Sequence, residues 1–144
     1  MSVFAQRDAG FVVTLGVVAV AFAAAIVSQH VFDIQPCPWC VLQRLVFAVI
    51  GLAALLGLTW RGALGARVGA AAIAALAGCG IAAAAWQFFV AANSPSCALT
   101  FADRVMNASG LNERFPDLFM AYASCADAEV RLGGVPYEFF SLLL

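Results

Sequence analysis

Four cysteines and one arginine carry the chemistry available to this chain. Cys37-Pro38-Trp39-Cys40 opens a long apolar stretch, and Arg44 follows one helical turn later. A Cys-x-x-Cys pair can hold a disulfide, a dithiol or half a metal site. Where a membrane helix meets water, the choice narrows. The second cysteine gains a helix N-terminus, and Arg44 shares its helix face. Both favour a thiolate at Cys40, the form that exchanges disulfides. Cys97 and Cys125 make a second pair, far apart in a segment that is otherwise polar and irregular. The fifth cysteine, Cys79, stands alone among Ala and Gly and reads as a small apolar packing residue.

The two pairs differ physically. A Cys37–Cys40 disulfide closes a tiny ring and stabilises a fold little, so a catalytic role is the better reading. A Cys97–Cys125 bridge taken alone reads as a structural staple. With both pairs on one membrane face, a relay becomes the better account, one disulfide passing to the other by thiolate attack through a mixed intermediate. An all-thiolate zinc site usually needs two close pairs, and the wide separation of the second pair argues against metal.

The elements that must position these residues follow from composition. Of 144 residues 65% are hydrophobic and 10% charged, too little polar surface to cover a water-soluble domain, so the chain reads as an integral membrane protein. Net charge is −1 and no residue is lysine, which leaves no basic surface for nucleic acid. A spanning helix needs about 20 mostly apolar residues. Three segments qualify, at about 9–28, 40–60 and 68–90, and a fourth begins near Val135 and stops at Leu144, about half a span. The fold expected is all-α: a single membrane domain over 1–144, a four-helix bundle whose fourth helix is cut short. The alternative that the first segment is a signal peptide fits less well, because its apolar run is long and two further spans follow. Arg7 before the first span, and Arg61 and Arg67 between the second and third, put those ends on the cytoplasmic side. The outer loops are then about 29–39 and 91–134, one cysteine pair in each. That is the face where disulfides persist.

Arg44 lies on the outer side, against the usual arginine bias, which favours a functional role over snorkelling. Its guanidinium suits a quinone carbonyl and a nearby thiolate. Gln43 and Gln87 either line a polar head-group pocket or bond a neighbouring helix, and helix bonding is the reading preferred for each. Trp39, Trp86, Phe88 and Phe89 are expected as interfacial anchors, and His30 as an interfacial residue. In the second outer loop Phe115, Leu118, Phe119 and Tyr122 recur at three- and four-residue spacing. They predict one short amphipathic helix on the membrane surface.

The stretch Pro36-Cys37-Pro38-Trp39-Cys40-Val41-Leu42-Gln43-Arg44, opening the second of three spans, with Cys97, Cys125, Gly134 and Pro136 after it, resembles the DsbB family of disulfide bond formation proteins. The resemblance covers most of the chain. It implies a four-helix bundle in the bacterial inner membrane with its redox cysteines on the periplasmic side. The implied activity is reoxidation of a soluble periplasmic DsbA-like thiol oxidoreductase, with electrons passing to a membrane quinone, ubiquinone or menaquinone. By the same resemblance Cys97 is the sulfur attacked by the partner and Cys125 pairs transiently with Cys37. Cys40 faces the quinone, and Arg44, with Gln43 beside it, helps bind that quinone. The residues alone leave open which of Cys97 and Cys125 meets the partner. Family members often carry a histidine toward the outer end of the third span, where this chain has Trp86-Gln87. Two competing readings are a quinone reductase of the vitamin K epoxide reductase type, which the cysteine order fits less well, and a non-catalytic membrane scaffold with structural disulfides.

Overall fold

The structure is a computed structural model that describes residues 3–60, 62–91, 100–123, 131–132 and 135–136. It is all-α in character. Three long helices, α1 (Val3–Val31), α2 (Pro38–Thr59) and α3 (Ala63–Trp86), are followed by a π-helical turn (Gln87–Ala91). Three short helices come next, α4 (Phe101–Ser109), α5 (Leu111–Arg114) and α6 (Pro116–Phe119). The stretches Asp8–Val31, Pro38–Thr59 and Ala63–Val90 are each long and apolar enough to cross a membrane. Each contains the greater part of one of the three complete spans expected from sequence.

The middle helix is the hub. Trp39, Val41, Leu42, Gln43, Arg44, Ile50, Gly51, Ala54 and Gly57 of α2 are buried, whereas only Gly65, Gly69 and Ala84 of α3 are. Helices α1 and α3 flank α2 and turn apolar side chains such as Val13, Val20, Leu64 and Ile81 outward. In a bilayer that exposure costs nothing, because lipid is as apolar as leucine. Association therefore depends on close packing of small residues. At the end far from Cys37, the Phe11 ring fills the space over Gly57 and Gly69. A Cβ at Gly57 would lie 2.7 Å from that ring, and one at Gly69 would lie 3.2 Å from it.

The segment after α3 folds onto the cysteine end of α2. Thr100 caps α4 through a reciprocal box with Asp103: the Thr100 N–H donates to Asp103 Oδ2 at 2.8 Å and the Asp103 N–H donates to Thr100 Oγ1 at 3.3 Å. The helix ends at Gly110, whose φ of 65° is the left-handed conformation a glycine supplies without strain. Ala102 and Met106 form its buried stripe. The single amphipathic helix expected over 111–122 is instead two single turns. Pro116 disfavours helical geometry at the residue before it, and Phe115 sits at φ −135°, ψ 66°, between α5 and α6. Phe119 is buried while Phe115 and Tyr122 are exposed, so these aromatics do not share one face.

Val135, expected to open a fourth span, pairs with Leu132 in a two-residue antiparallel ladder, Arg131–Leu132 against Val135–Pro136. Residues 137–144 of the expected span lie outside the described residues.

Candidate active site

Helix α2 begins where its sequence says it should. Pro38 occupies the first helical position, where a missing N–H is harmless. Cys37 is the N-cap, at φ −83°, ψ 166°, and the Cys40 N–H donates to its Sγ at 3.3 Å. The helix N-terminus therefore serves the first cysteine directly. Cys40, the third helical residue, keeps the first-turn position expected of it, and the cap adds Cys37 as the acceptor of its N–H. The two sulfurs are 2.8 Å apart. Cys37 is fully buried, and Cys40 is only partly covered.

The cap is covered by the segment that begins with α4. Cys37, Trp39 and Leu42 pack with Ala102 of α4, and Cys40, Leu45, Ala83, Val105 and Ala123 close around them. The N–H groups of Tyr122 and Ala123 donate to Pro36 O at 3.0 and 3.4 Å, tying the residues before Cys125 to the residue before Cys37. Trp39 is 7% exposed and belongs to this cluster, so it is not the interfacial anchor expected of it; α4 buries it. Trp86 and Phe89 remain exposed at the end of α3. His30 is exposed on α1. Cys79 is exposed on α3 and fills no interior gap, contrary to the packing role read for it. Cys97 and Cys125 themselves lie outside the described residues.

On its other side Cys40 opens into a cleft between α1 and α2. Its walls include Phe22, Ala25, Cys40, Gln43, Arg44 and Phe47. The four α2 residues fall at i, i+3, i+4 and i+7, one helical stripe. Arg44 is almost fully buried and well supplied with acceptors. Its Nη1 donates to Gln29 Oε1 at 2.9 Å and to Leu118 O at 3.0 Å, and its Nη2 donates to Ala25 O at 3.5 Å. One guanidinium thus joins α1, α2 and α6. That satisfies a charge which, left bare within a span, would cost several kcal/mol (~2.5–3.5 at a helix centre).

Gln87 bonds the neighbouring helix, as expected, and also reaches the cysteines, which was not expected. It opens the π-helical turn after α3 and is 3% exposed. Its Nε2 reaches Cys37 Sγ at 3.5 Å and Cys40 Sγ at 3.4 Å, while its Oε1 accepts from Gln43 Nε2 at 3.0 Å. The available signal was a polar residue near the end of an otherwise apolar span. The site thus assembles Cys37, Cys40, Gln43 and Arg44, as the sequence grouped them, and adds Gln87 and Gln29.

The chain matches the family "Disulfide bond formation protein DsbB" over residues 6–144. Among curated relatives, Disulfide bond formation protein B of Herminiimonas arsenicoxydans is 33% identical over 84% of this chain and 77% of the relative. Its namesake from Pseudomonas syringae pv. tomato is 30% identical over 85% of this chain and 73% of the relative. That from Azoarcus sp. strain BH72 is 29% identical over 92% and 82%. No solved structure matches the chain. With three membrane-spanning helices and a buried cysteine pair at one end of the bundle, the protein is a multi-pass, disulfide-forming membrane protein, and it belongs to the DsbB family.

Proposed function

We propose that this protein is a thiol:quinone oxidoreductase of the bacterial inner membrane, with its cysteines on the periplasmic side. It reoxidises a soluble DsbA-like dithiol oxidase. The observation that carries the reading is the position of Cys40. Its sulfur is 2.8 Å from Cys37 on one side and lines the α1–α2 cleft on the other. A relay needs such a residue, in contact with both a thiol partner and an acceptor site.

The residues fit a quinone head group. Phe22, Ala25 and Phe47 give apolar walls, and the polar residues Gln43 and Arg44 line the same cleft. A bound quinone supplies a sink for two electrons and two protons. The chain's own sulfurs do the rest. The partner's thiolate attacks Cys97 and displaces Cys125, and the partner's second thiol then releases its disulfide and leaves Cys97 reduced. Cys125 exchanges with Cys37, so that the reducing equivalents reach the Cys37–Cys40 pair, and Cys40 is the sulfur that gives them up at the cleft. Each exchange makes one S–S bond as it breaks another, and two electrons move per cycle. Support for a short path comes from Ala102 and Ala123. Each lies near one of the distal cysteines in sequence, and both pack in the cluster that holds Cys37.

The test is purified protein mixed with a quinone and a reduced dithiol partner, followed by quinone absorbance. The expected result is stoichiometric loss of quinone and of partner thiols. Partner oxidation without quinone reduction would reject the cleft as the acceptor site. A scaffold with structural disulfides would give neither.

A further inference from the structure

The Gln87 amide touches both sulfurs of the buried pair, and nothing in the relay just described uses it. An amide NH2 carries two N–H donors, and Nε2 lies at nearly equal distances, 3.5 and 3.4 Å, from Cys37 Sγ and Cys40 Sγ. Gln43 Nε2 donates to Gln87 Oε1 at 3.0 Å, an arrangement that leaves the Gln87 nitrogen on the cysteine side. The arrangement is buried, with Gln87 3% and Gln43 7% exposed, so water competes poorly for either amide.

We propose that Gln87 is a catalytic residue that carries the negative charge on whichever sulfur of the Cys37–Cys40 pair is reduced, and that Gln43 is the positioning residue that keeps its nitrogen facing them. The physical reason is differential. A thiolate accepts a charge-assisted hydrogen bond, and a disulfide sulfur accepts only weakly. A donor shared between the two sulfurs therefore favours the reduced pair over the oxidised pair without preferring either atom. It can follow the charge from Cys37 to Cys40 without moving. Being a neutral amide, Gln87 also does this without titrating. Because Gln43 lines the cleft as well, the amide chain runs from the acceptor site to the sulfurs.

This rests on the reading that Cys37 and Cys40 cycle between disulfide and dithiol, but not on the identity of the acceptor. The test accordingly leaves the quinone out. The full-length protein is equilibrated with glutathione buffers, in which the protein disulfide plus two glutathiones gives the protein dithiol plus glutathione disulfide. Thiols are trapped with a maleimide, and the Cys37–Cys40 peptide is quantified by mass spectrometry. Gln87→Leu should move the equilibrium toward the disulfide on the order of tenfold, the worth of one hydrogen bond to a charged group. For two electrons tenfold is ~30 mV. Gln87→Glu is the sharper variant. It keeps the length of the side chain and an acceptor for Gln43, and as a carboxylate it replaces the N–H donors by a negative charge that repels a thiolate. It should shift the equilibrium at least as far as Gln87→Leu. Gln43→Leu should shift it less, in the same direction, by letting the Gln87 amide rotate. A packing role predicts the opposite pattern, with Gln87→Glu close to wild type and Gln87→Leu impaired. That pattern, or three variants superimposed on wild type, overturns the proposal. A wild-type protein whose Cys37–Cys40 pair does not titrate at all would sink the redox reading beneath it.

Discussion

Replacing Arg44 by Met removes a charge but keeps most of the side-chain volume, and the structure says what is then left behind. Leu118 O and Gln29 Oε1 lose the Nη1 donor that lay 3.0 and 2.9 Å away. Ala25 O, at 3.5 Å, loses the weakest of the three bonds and sits inside α1, where the helical ladder also serves it. Two buried acceptors without donors cost about 1–3 kcal/mol each. For the two together the expected loss is about 2–6 kcal/mol. Since Leu118 belongs to α6, the damage should spread to the segment that covers Cys37. In detergent, Arg44→Met should unfold at a lower denaturant fraction than wild type. The 100–123 segment should be cleaved faster by protease under native conditions. Arg44→Lys, with a compact ammonium in place of a fork, should keep one bond and fall between the two. Quinone-linked oxidation should drop in the same order. Unaltered unfolding and protection in Arg44→Met would refute the clamp and confine this arginine to ligand binding. Lost turnover with full stability would have the same meaning.

Cys40→Ser should abolish quinone reduction while leaving attack by the soluble dithiol partner intact; stopped-flow quinone absorbance checks the first, and unchanged quinone reduction would reject the acceptor-facing assignment. Cys97→Ser should prevent the mixed disulfide with that partner, read on a non-reducing gel, and a trapped adduct would reassign the partner-facing role. Ala102→Leu forces extra volume into the cluster around Cys37, where Ala102 is 0% exposed. It should cost about 1–3 kcal/mol and speed alkylation of Cys37. Gly57→Ala pushes a Cβ to 2.7 Å from the Phe11 ring and should destabilise the bundle by a similar amount, about 1–3 kcal/mol. It acts at the far end, so it should leave the Cys37–Cys40 glutathione equilibrium where it is.

Features that depend on length and composition were legible without coordinates, and features that depend on what packs on what were not. Three spans follow from runs of apolar residues, and the shared face of Cys40 and Arg44 follows from helical periodicity. That Cys37 itself caps α2 was not legible, because a helix start is decided by the φ/ψ of a single residue. The break at Pro116 was readable from the restriction a proline places on its predecessor, and the aromatic spacing across it was misleading. The start of α4 was also signalled, by Thr100 and Asp103 at capping-box spacing. Burial of Trp39 was not legible, since it needs α4 to lie over the cap. Nor was the partner of Gln87: a polar residue in a span announces that it has one, but not which sulfur, helix or ligand that partner is.

The placement of the site on α2 has a physical logic beyond family descent. In a bundle held by lipid-like side chains, most helix faces are interchangeable between protein and bilayer, and α1 and α3 expose much of theirs. A reactive sulfur on either would meet lipid. Near the N-terminus of α2, Cys40 lies between a donor on the α3 side, Gln87, and a cleft on the α1 side, and Gln43 touches both. The junctions on the two sides of α2 are therefore coupled through two amides and one thiol pair. A change that loosens α1, such as loss of the Gln29–Arg44 bond, should alter the acceptor cleft first and the sulfur equilibrium second. A change at Gln87 should do the reverse. That order is what distinguishes an integrated relay from two sites that happen to be neighbours.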